Sequence, residues 1–426
     1  MLRIRNGRLI DPQQGIDAEV DLLIENGKVA ALGKAAMRDA AETIDAKGLV
    51  VVPGLVDIHT HLREPGLEYK ETIETGSRAA VAGGFTSIAC MPNTEPINDN
   101  RAITEFIVGR AKDLAGCHVY PIAAITKDSG GETLTEMADL KLGGAVGFSD
   151  DGRPVMNARV MRLAMEIARS LRMPILAHEE DIQLSAGGVM REGAVSTRLG
   201  LRGIPAQSES TMIARDVELA ELTGVHLHIC HVSSVRSLKT IELAKQWRCR
   251  VTCEVTPHHL MLTDEDIAGF DARYKVNPPL GFKTDREALR VALADGLIDV
   301  IATDHAPHHQ DEKRCEFEQA MFGMIGLETA LPLCLSLVRD GVISLRELIR
   351  RMTIEPAKIL GLAVGALAVG AIADVTLFDP NESWTVGDAP HFSRSTNTPF
   401  WGKSLTGRVK ATIVGGKVVY RDGEML

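Results

Sequence analysis

Residues able to hold metal ions recur in this sequence at the ends of short apolar runs. His59 and His61 close the first such run, and positions i and i+2 of a strand point the same way, so both imidazoles can reach one ion. Alone, this pair is equally well explained by two histidines that line the mouth of a barrel. The other candidates follow later runs: Asp151, His178, His231 and Asp304. Together they exceed the ligand number of one tetrahedral ion and suit two divalent ions bridged by a carboxylate.

Eight strand–helix units are predicted to position these residues. The apolar runs begin at Gly54, Phe85, His118, Ala145, Pro174, Val225, Arg250 and Ile298. Segments with helical periodicity, such as residues 159–171, separate them. This alternation indicates an α/β fold with a (β/α)8 TIM-like barrel, in which the carboxyl ends of all strands share one rim. A doubly wound open sheet is the alternative, but no G-x-G-x-x-G follows the first strand.

Both ends of the chain carry strand and turn patterns without intervening helices. Residues 20–32 contain two apolar runs around Asn26-Gly27, and residues 409–420 contain two runs around Gly415-Gly416; both patterns indicate hairpins. We predict a small β-sandwich domain built from residues 1–53 and 365–426. Residues 54–364 would then form the barrel as a single inserted domain.

Composition excludes several classes of protein. Lys and Arg total 47 against 57 Asp and Glu, and the resulting net charge of −10 argues against nucleic-acid binding. The 45% hydrophobic content is too high for a disordered chain. There is neither a signal-peptide pattern at the start nor an apolar run of about 18 residues, and the 7 cysteines are scattered. We expect a cytoplasmic protein without membrane association.

Several motifs, in order along the chain, resemble the amidohydrolase superfamily and, within it, the dihydroorotase family of the class I bacterial type. They are DIHTHLREPG at 57–66, MPNT at 91–94, GFSDDG at 147–152, the histidines at 178 and 231, and TDHAPH at 303–308. The resemblance covers nearly the whole chain, including the β domain from both termini. It implies a barrel of the metal-dependent hydrolase type.

The resemblance also implies a ligand assignment. His59, His61 and Asp304 would hold one zinc ion, His178 and His231 the other, and Asp151 would bridge them. Many relatives, hydantoinases among them, bridge instead with a carboxylated lysine at the end of strand four. That region reads AVGFSDDGR here, and Lys141 lies upstream of it. Two zinc ions per subunit are expected, with one as the alternative because a short aspartate bridge holds the second ion less firmly.

The family reaction is the reversible cyclisation of N-carbamoyl-L-aspartate to L-dihydroorotate in pyrimidine biosynthesis. The resemblance implies a metal-bridging hydroxide as nucleophile and Asp304 as general base and then acid. The implied substrate contacts are His61, Arg63, Asn93, Asn277, His308, Phe322 and Gly323. From the residues alone, Arg63 would equally fit an ion pair with Glu64, and Asn277 could simply shape a turn before its two prolines.

Other polar positions have structural explanations. Six further histidines are expected to pack or to form hydrogen bonds outside the ligand set: His118, His226, His228, His258, His259 and His391. Cys230, beside a ligand, is expected to fill the core. The polar stretch 309–321 predicts either a mobile flap over the rim or a solvated loop.

Two alternative functions stay open at this stage. One is another cyclic amidohydrolase, namely a hydantoinase, an allantoinase or a dihydropyrimidinase; the missing lysine and the presence of Arg63 count against it. The other is a catalytically silent homologue that binds a partner, against which the complete ligand set counts. The resemblance is compatible with a homodimer and with an association with aspartate transcarbamoylase, which makes the substrate.

Overall fold

The computed structural model describes residues 1–114, 116–267 and 269–426. Seven strands precede the barrel: β1 (Leu2–Arg5), β2 (Arg8–Asp11), β3 (Ile16–Glu19), β4 (Leu22–Glu25), β5 (Lys28–Leu32), β6 (Glu42–Asp45) and β7 (Val50–Pro53). Four of them form a sheet in the order β5-β4-β1-β6. The turn between β4 and β5 is the predicted Asn26-Gly27, and both residues have positive φ, as a tight hairpin turn requires.

Ten strands belong to the middle of the chain: β8 (Leu55–Thr60), β9 (Phe85–Cys90), β10 (His118–Ala123), β11 (Gly147–Phe148), β12 (Ile175–Ala177), β13 (Met190–Arg191), β14 (Gly203–Ile204), β15 (Leu227–Ile229), β16 (Val251–Val255) and β17 (Val300–Ile301). β13 pairs only with β14, and the other eight form one parallel sheet in sequence order. In a doubly wound sheet, the strand order would instead change direction at one point in the sheet. The sheet closes where Thr60 bridges His305 and the His61 N–H donates to the His305 carbonyl at 2.9 Å. The predicted (β/α)8 barrel is therefore confirmed.

Fourteen α-helices are found in the described ranges: α1 (Ile73–Ala82), α2 (Arg101–Leu114), α3 (Met137–Gly143), α4 (Ala158–Leu171), α5 (Ile182–Ser185), α6 (Ala194–Leu199), α7 (Gln207–Thr223), α8 (Val235–Gln246), α9 (Pro257–Met261), α10 (Lys283–Ala294), α11 (Gln310–Lys313), α12 (Ala330–Arg339), α13 (Leu345–Arg351) and α14 (Ile354–Leu360). α4 shows why they form. The Asn157 side chain accepts from the first free N–H groups, and the buried Val160, Ala164 and Ala168 recur at helical spacing toward the barrel. None of the described helices is both long enough and apolar enough to cross a membrane.

Strands from both termini share one sheet. β18 (Val375–Thr385), β19 (Ser404–Val414), β20 (Lys417–Arg421) and β21 (Glu424–Met425) complete the order β21-β20-β19-β18-β7-β2-β3. β7 pairs antiparallel with β18, with Val52 opposite Thr376. The N-terminal strands of this sheet are therefore joined to the C-terminal strands by backbone hydrogen bonds. This sheet and the four-stranded sheet fit the predicted small β-sandwich domain. A core of apolar residues from both ends, including Leu9, Val51 and Leu377, packs between them.

Candidate metal centre

The predicted metal set meets at the carboxyl-end rim of the barrel. Each residue ends or follows a different strand, except the pair on β8: His59 and His61 (β8), Asp151 (after β11), His178 (after β12), His231 (after β15) and Asp304 (after β17). None of the six is more than 7% exposed. Parallel strands deliver their carboxyl ends to one place, which is why residues so far apart in sequence converge.

Asp151 lies between two groups of histidines. Its Oδ1 is 3.4 Å from His59 Nε2, and its Oδ2 is 3.6 Å from His61 Nε2. On the other side, the same Oδ1 is 3.7 Å from His178 Nδ1 and 3.6 Å from His231 Nε2. Two triplets of possible ligand atoms therefore share this one carboxylate, each spanning no more than 4.8 Å. A shared carboxylate is the arrangement that a bridged two-ion centre requires.

Two atoms at this centre show that the donor set fits a cation. His59 Nε2 and Asp151 Oδ1 are both buried and have no hydrogen-bond partner among the described residues. An unpartnered polar atom in the protein interior costs about 1–3 kcal/mol. A divalent ion would coordinate both atoms, and imidazole and carboxylate groups suit zinc and similar ions.

Asp304 adjoins the first histidine pair. Its Oδ1 is 2.9 Å from His61 Nε2 and 3.6 Å from His59 Nε2. Burial alone would raise the pKa of this carboxyl group, but the two imidazoles outweigh it and lower the pKa to about 2. Asp304 is therefore ionised at neutral pH, as both a metal ligand and a proton acceptor must be.

Glu254 on β16, which the sequence analysis did not single out, orients His59. Its Oε1 is 2.6 Å from His59 Nδ1, and its Oε2 is 3.1 Å from His228 Nε2. The Glu254 side chain is fully buried. A carboxylate behind a ligating imidazole fixes the tautomer that leaves the opposite nitrogen free for the metal. The clue was available in sequence as the one charged residue in the strand run VTCEV. His228 thus forms a hydrogen bond, as expected, and supports this carboxylate.

Replacing Glu254 by glutamine is expected to weaken metal binding by about 10–100-fold, because the neutral amide stabilises the His59 Nδ1–H less than the carboxylate does. Competition against a chelator of known affinity would measure the effect. Glu209→Gln is the matched control, since it removes another buried carboxylate, one bonded to Ser233 and Ser237. Metal affinity within twofold of wild type in E254Q would exclude this role.

A cavity of about 230 Å³ opens above the centre. It is lined by all predicted metal and substrate residues except His59: His61, Arg63, Asn93, Asp151, His178, His231, Asn277, Asp304, His308, Phe322 and Gly323. His59 is fully buried beneath them. Two of the predicted substrate residues are held in place by side-chain hydrogen bonds. Asn93 Oδ1 is 2.9 Å from His61 Nδ1, and Asn277 Nδ2 donates to Glu180 at 2.8 Å.

Arg63 is a buried cation with no anionic partner in the described ranges. It is 8% exposed, and its guanidinium lies 3.3 Å from the Pro307 carbonyl and 3.4 Å from His308 Nε2. No described carboxylate lies within 4.0 Å of it, and Glu64 pairs instead with Arg110 at 2.8 Å, so the ion-pair alternative for Arg63 is wrong. Burial and the neighbouring Arg63 lower the pKa of His308 to about 3, which keeps that imidazole neutral. The cavity therefore offers one positive charge away from the metal ligands.

The stretch 309–321 is held against the rim by buried lysines. Lys313 Nζ donates to the carbonyls of Met321 at 2.7 Å and Gly323 at 2.9 Å, and Lys275 Nζ donates to the Phe317 carbonyl at 2.7 Å. Only 8% of Lys313 is exposed. Most of its side chains are nevertheless exposed, so the segment is an anchored loop with a solvated outer face. Its predicted role as a flap stays a prediction.

Most of the other expected structural residues have partners outside the ligand set. His118 pairs with Asp374, His226 with Thr252, His259 with the Pro278 carbonyl and His391 with Glu328. Lys141 Nζ donates to the Leu171 carbonyl and belongs to neither group of possible ligand atoms. His258 is buried with an unpartnered Nε2. Cys230 is buried and lies within 4.8 Å of the ligand atoms of His59 and Glu254.

Comparison with known proteins agrees with this geometry. A family model described as dihydro-orotase-like matches residues 48–237, and an amidohydrolase family model matches residues 212–420. A curated dihydroorotase from Pelobacter propionicus is 54% identical over 421 residues, which is 99% of each chain. The chain belongs to the dihydroorotase family. A second family member, from Syntrophus aciditrophicus, is 52% identical and covers 98% of this chain and 99% of its own.

Solved structures show how far the fold extends beyond dihydroorotases. An L-hydantoinase (dihydropyrimidinase) from Arthrobacter aurescens superposes with a TM-score of 0.90 at 28% identity, covering 100% of this chain and 97% of that one. A D-hydantoinase gives a TM-score of 0.84 at 25% identity, with 100% and 96% coverage. Cyclic amidohydrolases with different substrates therefore share the barrel and the β domain of this dihydroorotase family member.

Proposed function

We propose that this chain is a metal-dependent dihydroorotase, a hydrolase of cyclic amide C–N bonds that interconverts N-carbamoyl-L-aspartate and L-dihydroorotate in pyrimidine biosynthesis. Relatives of that name are 54% identical over the full length. The structural observation that carries the proposal is the buried Arg63 beside the centre, which has no ion-pair partner in the part of the chain that the structure describes. A substrate with a free carboxylate would supply the missing anion, and guanidinium binds carboxylate through two parallel hydrogen bonds.

The proposed cofactor is a pair of zinc ions, with a single ion as the alternative. His59, His61 and Asp304 would hold the first ion, His178 and His231 the second, and Asp151 both. When bound, such ions polarise a carbonyl oxygen and lower the pKa of a bound water toward about 7. The two triplets that share Asp151 support two ions.

Asp304 is the proposed general base and acid. In ring opening, its ionised carboxylate accepts a proton from the attacking water as the C–O bond forms. It then delivers that proton to the ring nitrogen as the C–N bond breaks. In ring closure it accepts the proton of the ureido nitrogen as the C–N bond forms, and it delivers this proton to the oxygen that leaves as water.

The remaining proposed contacts hold the substrate. Arg63 binds its carboxylate, and the neutral His308, 3.4 Å from the guanidinium, can donate to the same group. Asn93 and Asn277 line the cavity and would offer amide groups to the polar edge of the ring. Phe322 and Gly323 also line the cavity, and we propose that their backbone contacts the substrate.

Turnover of dihydroorotate with zinc analysis tests this function. We expect ring opening to be abolished by a chelator and restored by zinc, and elemental analysis to give two ions per chain. The kcat/KM for dihydroorotate should exceed that for hydantoin, allantoin or dihydrouracil by at least about 100-fold, because those leave the buried Arg63 unpaired. Preference for a neutral ring would favour the hydantoinase alternative, and absence of both metal and turnover would favour a silent homologue.

Further proposals concern organisation and partners. We propose that residues 1–53 and 365–426 form one β domain around the barrel of residues 54–364, and that the protein acts in the cytoplasm. A homodimer and an association with aspartate transcarbamoylase are proposed on the family resemblance alone. Sedimentation of the chain, alone and with that enzyme, tests both assemblies.

A further inference from the structure

A second cavity, of about 370 Å³, lies at the opposite end of the barrel from the metal centre. Its walls come from the segments immediately before β11, β12, β15 and β16, and from the carboxyl ends of α4 and α14. Three of the proposed metal ligands, Asp151, His178 and His231, follow the other ends of β11, β12 and β15. The two cavities therefore share no lining residue.

Positive charge dominates this second cavity. Its ionised lining side chains are Lys141, Arg169, Arg172, Arg250 and Lys358, and no carboxylate lines it. In the described parts of the chain, none of the three arginines has a carboxylate within 4.0 Å, whereas Lys358 pairs with Glu355 at 3.3 Å. Five cations converge here on a chain whose net charge is −10. Like charges around one cavity repel each other, and an anion bound among them would relieve that repulsion.

Helix dipoles explain only part of this cluster. Lys141, Arg169 and Lys358 lie in the last turns of α3, α4 and α14, where a cation stabilises a helix by about 0.3–1 kcal/mol. Arg250 belongs to no helix and directly precedes β16. Arg172 caps α4 at φ 55°, a left-handed conformation in which glycine or asparagine is more usual.

The cavity also has an apolar wall. Met173 and Leu360 are buried, and Leu362 is half-buried beside them. His226 lines the same space, with its Nε2 2.9 Å from Thr252 Oγ1. Burial, together with the nearby His228 and Arg250, lowers the pKa of His226 to about 3, so His226 is a neutral group. Cationic and apolar side chains thus line one cavity of ligand-binding size.

We propose that this cavity binds a small organic anion with two or more phosphate groups, of the nucleoside di- or triphosphate class. A guanidinium group can form two parallel hydrogen bonds with the oxygens of one phosphate. Five cations are more than the charge of a single carboxylate would require. The apolar wall would contact the organic part. Long nucleic acid is disfavoured because the rest of the surface carries the excess negative charge. This site is independent of the proposed reaction at the other rim.

Calorimetric titration of the zinc-loaded full chain with ATP and with inorganic tripolyphosphate tests the proposal. We expect one site per chain for each probe and weaker binding as salt is raised. Arg169→Glu combined with Arg250→Glu should weaken both by at least 20-fold. Arg38→Glu combined with Lys47→Glu is the matched control, because both residues are exposed and lie outside the cavity. It changes the net charge equally and should stay within twofold of wild type.

Turnover of dihydroorotate is measured on the same samples and should stay within twofold of wild type in both double variants, which shows that they are folded. Failure of ATP and tripolyphosphate to bind, or equal losses in both double variants, would overturn the site. If tripolyphosphate bound but ATP did not, the claim that the apolar wall contacts the organic part of the ligand would be wrong. A glutamate-rich peptide that bound more tightly than ATP and depended on the same two arginines would assign the cavity to an acidic protein segment instead.

Discussion

Replacing Asp304 by asparagine is expected to lower kcat for dihydroorotate ring opening by at least about 10³-fold. A positioned acid–base group contributes about 10²–10⁴. The asparagine amide has the same shape and can still accept a hydrogen bond from His61, now 2.9 Å away. It cannot hold the transferred proton in either direction. Steady-state rates of ring opening and ring closure should therefore fall together.

The zinc content of the D304N protein separates proton transfer from metal binding. Retained zinc with lost turnover is the expected result, and it assigns the proton to Asp304. Loss of zinc together with turnover would leave Asp304 as a ligand only. Asp181→Asn serves as the control, because Asp181 caps α5 near the same rim and asparagine caps a helix equally well. Activity of zinc-loaded D304N within tenfold of wild type would contradict the assignment.

The barrel and its metal set were predictable because both depend on strand order. Each apolar run that begins a strand–helix unit ends at a fixed rim, so His178 and His231 converge with His59 without any local motif joining them. Glu254 was missed because a charged residue in a strand usually points to solvent. Only the closed barrel shows that it points inward and binds His59 and His228.

The second cavity was missed because none of its cations is unusual where it stands in the sequence. Its cations are spread between positions 141 and 358, each beside a helix end or strand start where a surface charge is ordinary. Barrel topology brings the amino ends of the strands together, as it does the carboxyl ends. Lys313 is a similar case, because its charged neighbours predict solvent exposure. In the structure its ammonium group is buried against three backbone carbonyls.

Replacing Arg63 by methionine is expected to lower kcat/KM for dihydroorotate by about 10²–10³-fold with zinc content unchanged. Removing one partner of a buried charged pair costs about 2–5 kcal/mol, and each 1.4 kcal/mol is a factor of ten. Most of this loss should appear as a raised KM, because the carboxylate is distant from the reacting bond. Arg63 has φ 63°, and methionine bears the same backbone cost as arginine there.

Dihydrouracil, which lacks the carboxylate, isolates the charge interaction from any positional role. R63M should leave its slow turnover within threefold of wild type, so that the preference for dihydroorotate collapses. Arg63→Lys restores the charge without the paired hydrogen bonds and should recover part of the loss. Arg110→Met is the control, since Arg110 pairs with Glu64 outside the cavity. Equal losses for both substrates in R63M would mean that Arg63 instead positions the segment carrying Pro307 and His308, which its guanidinium contacts.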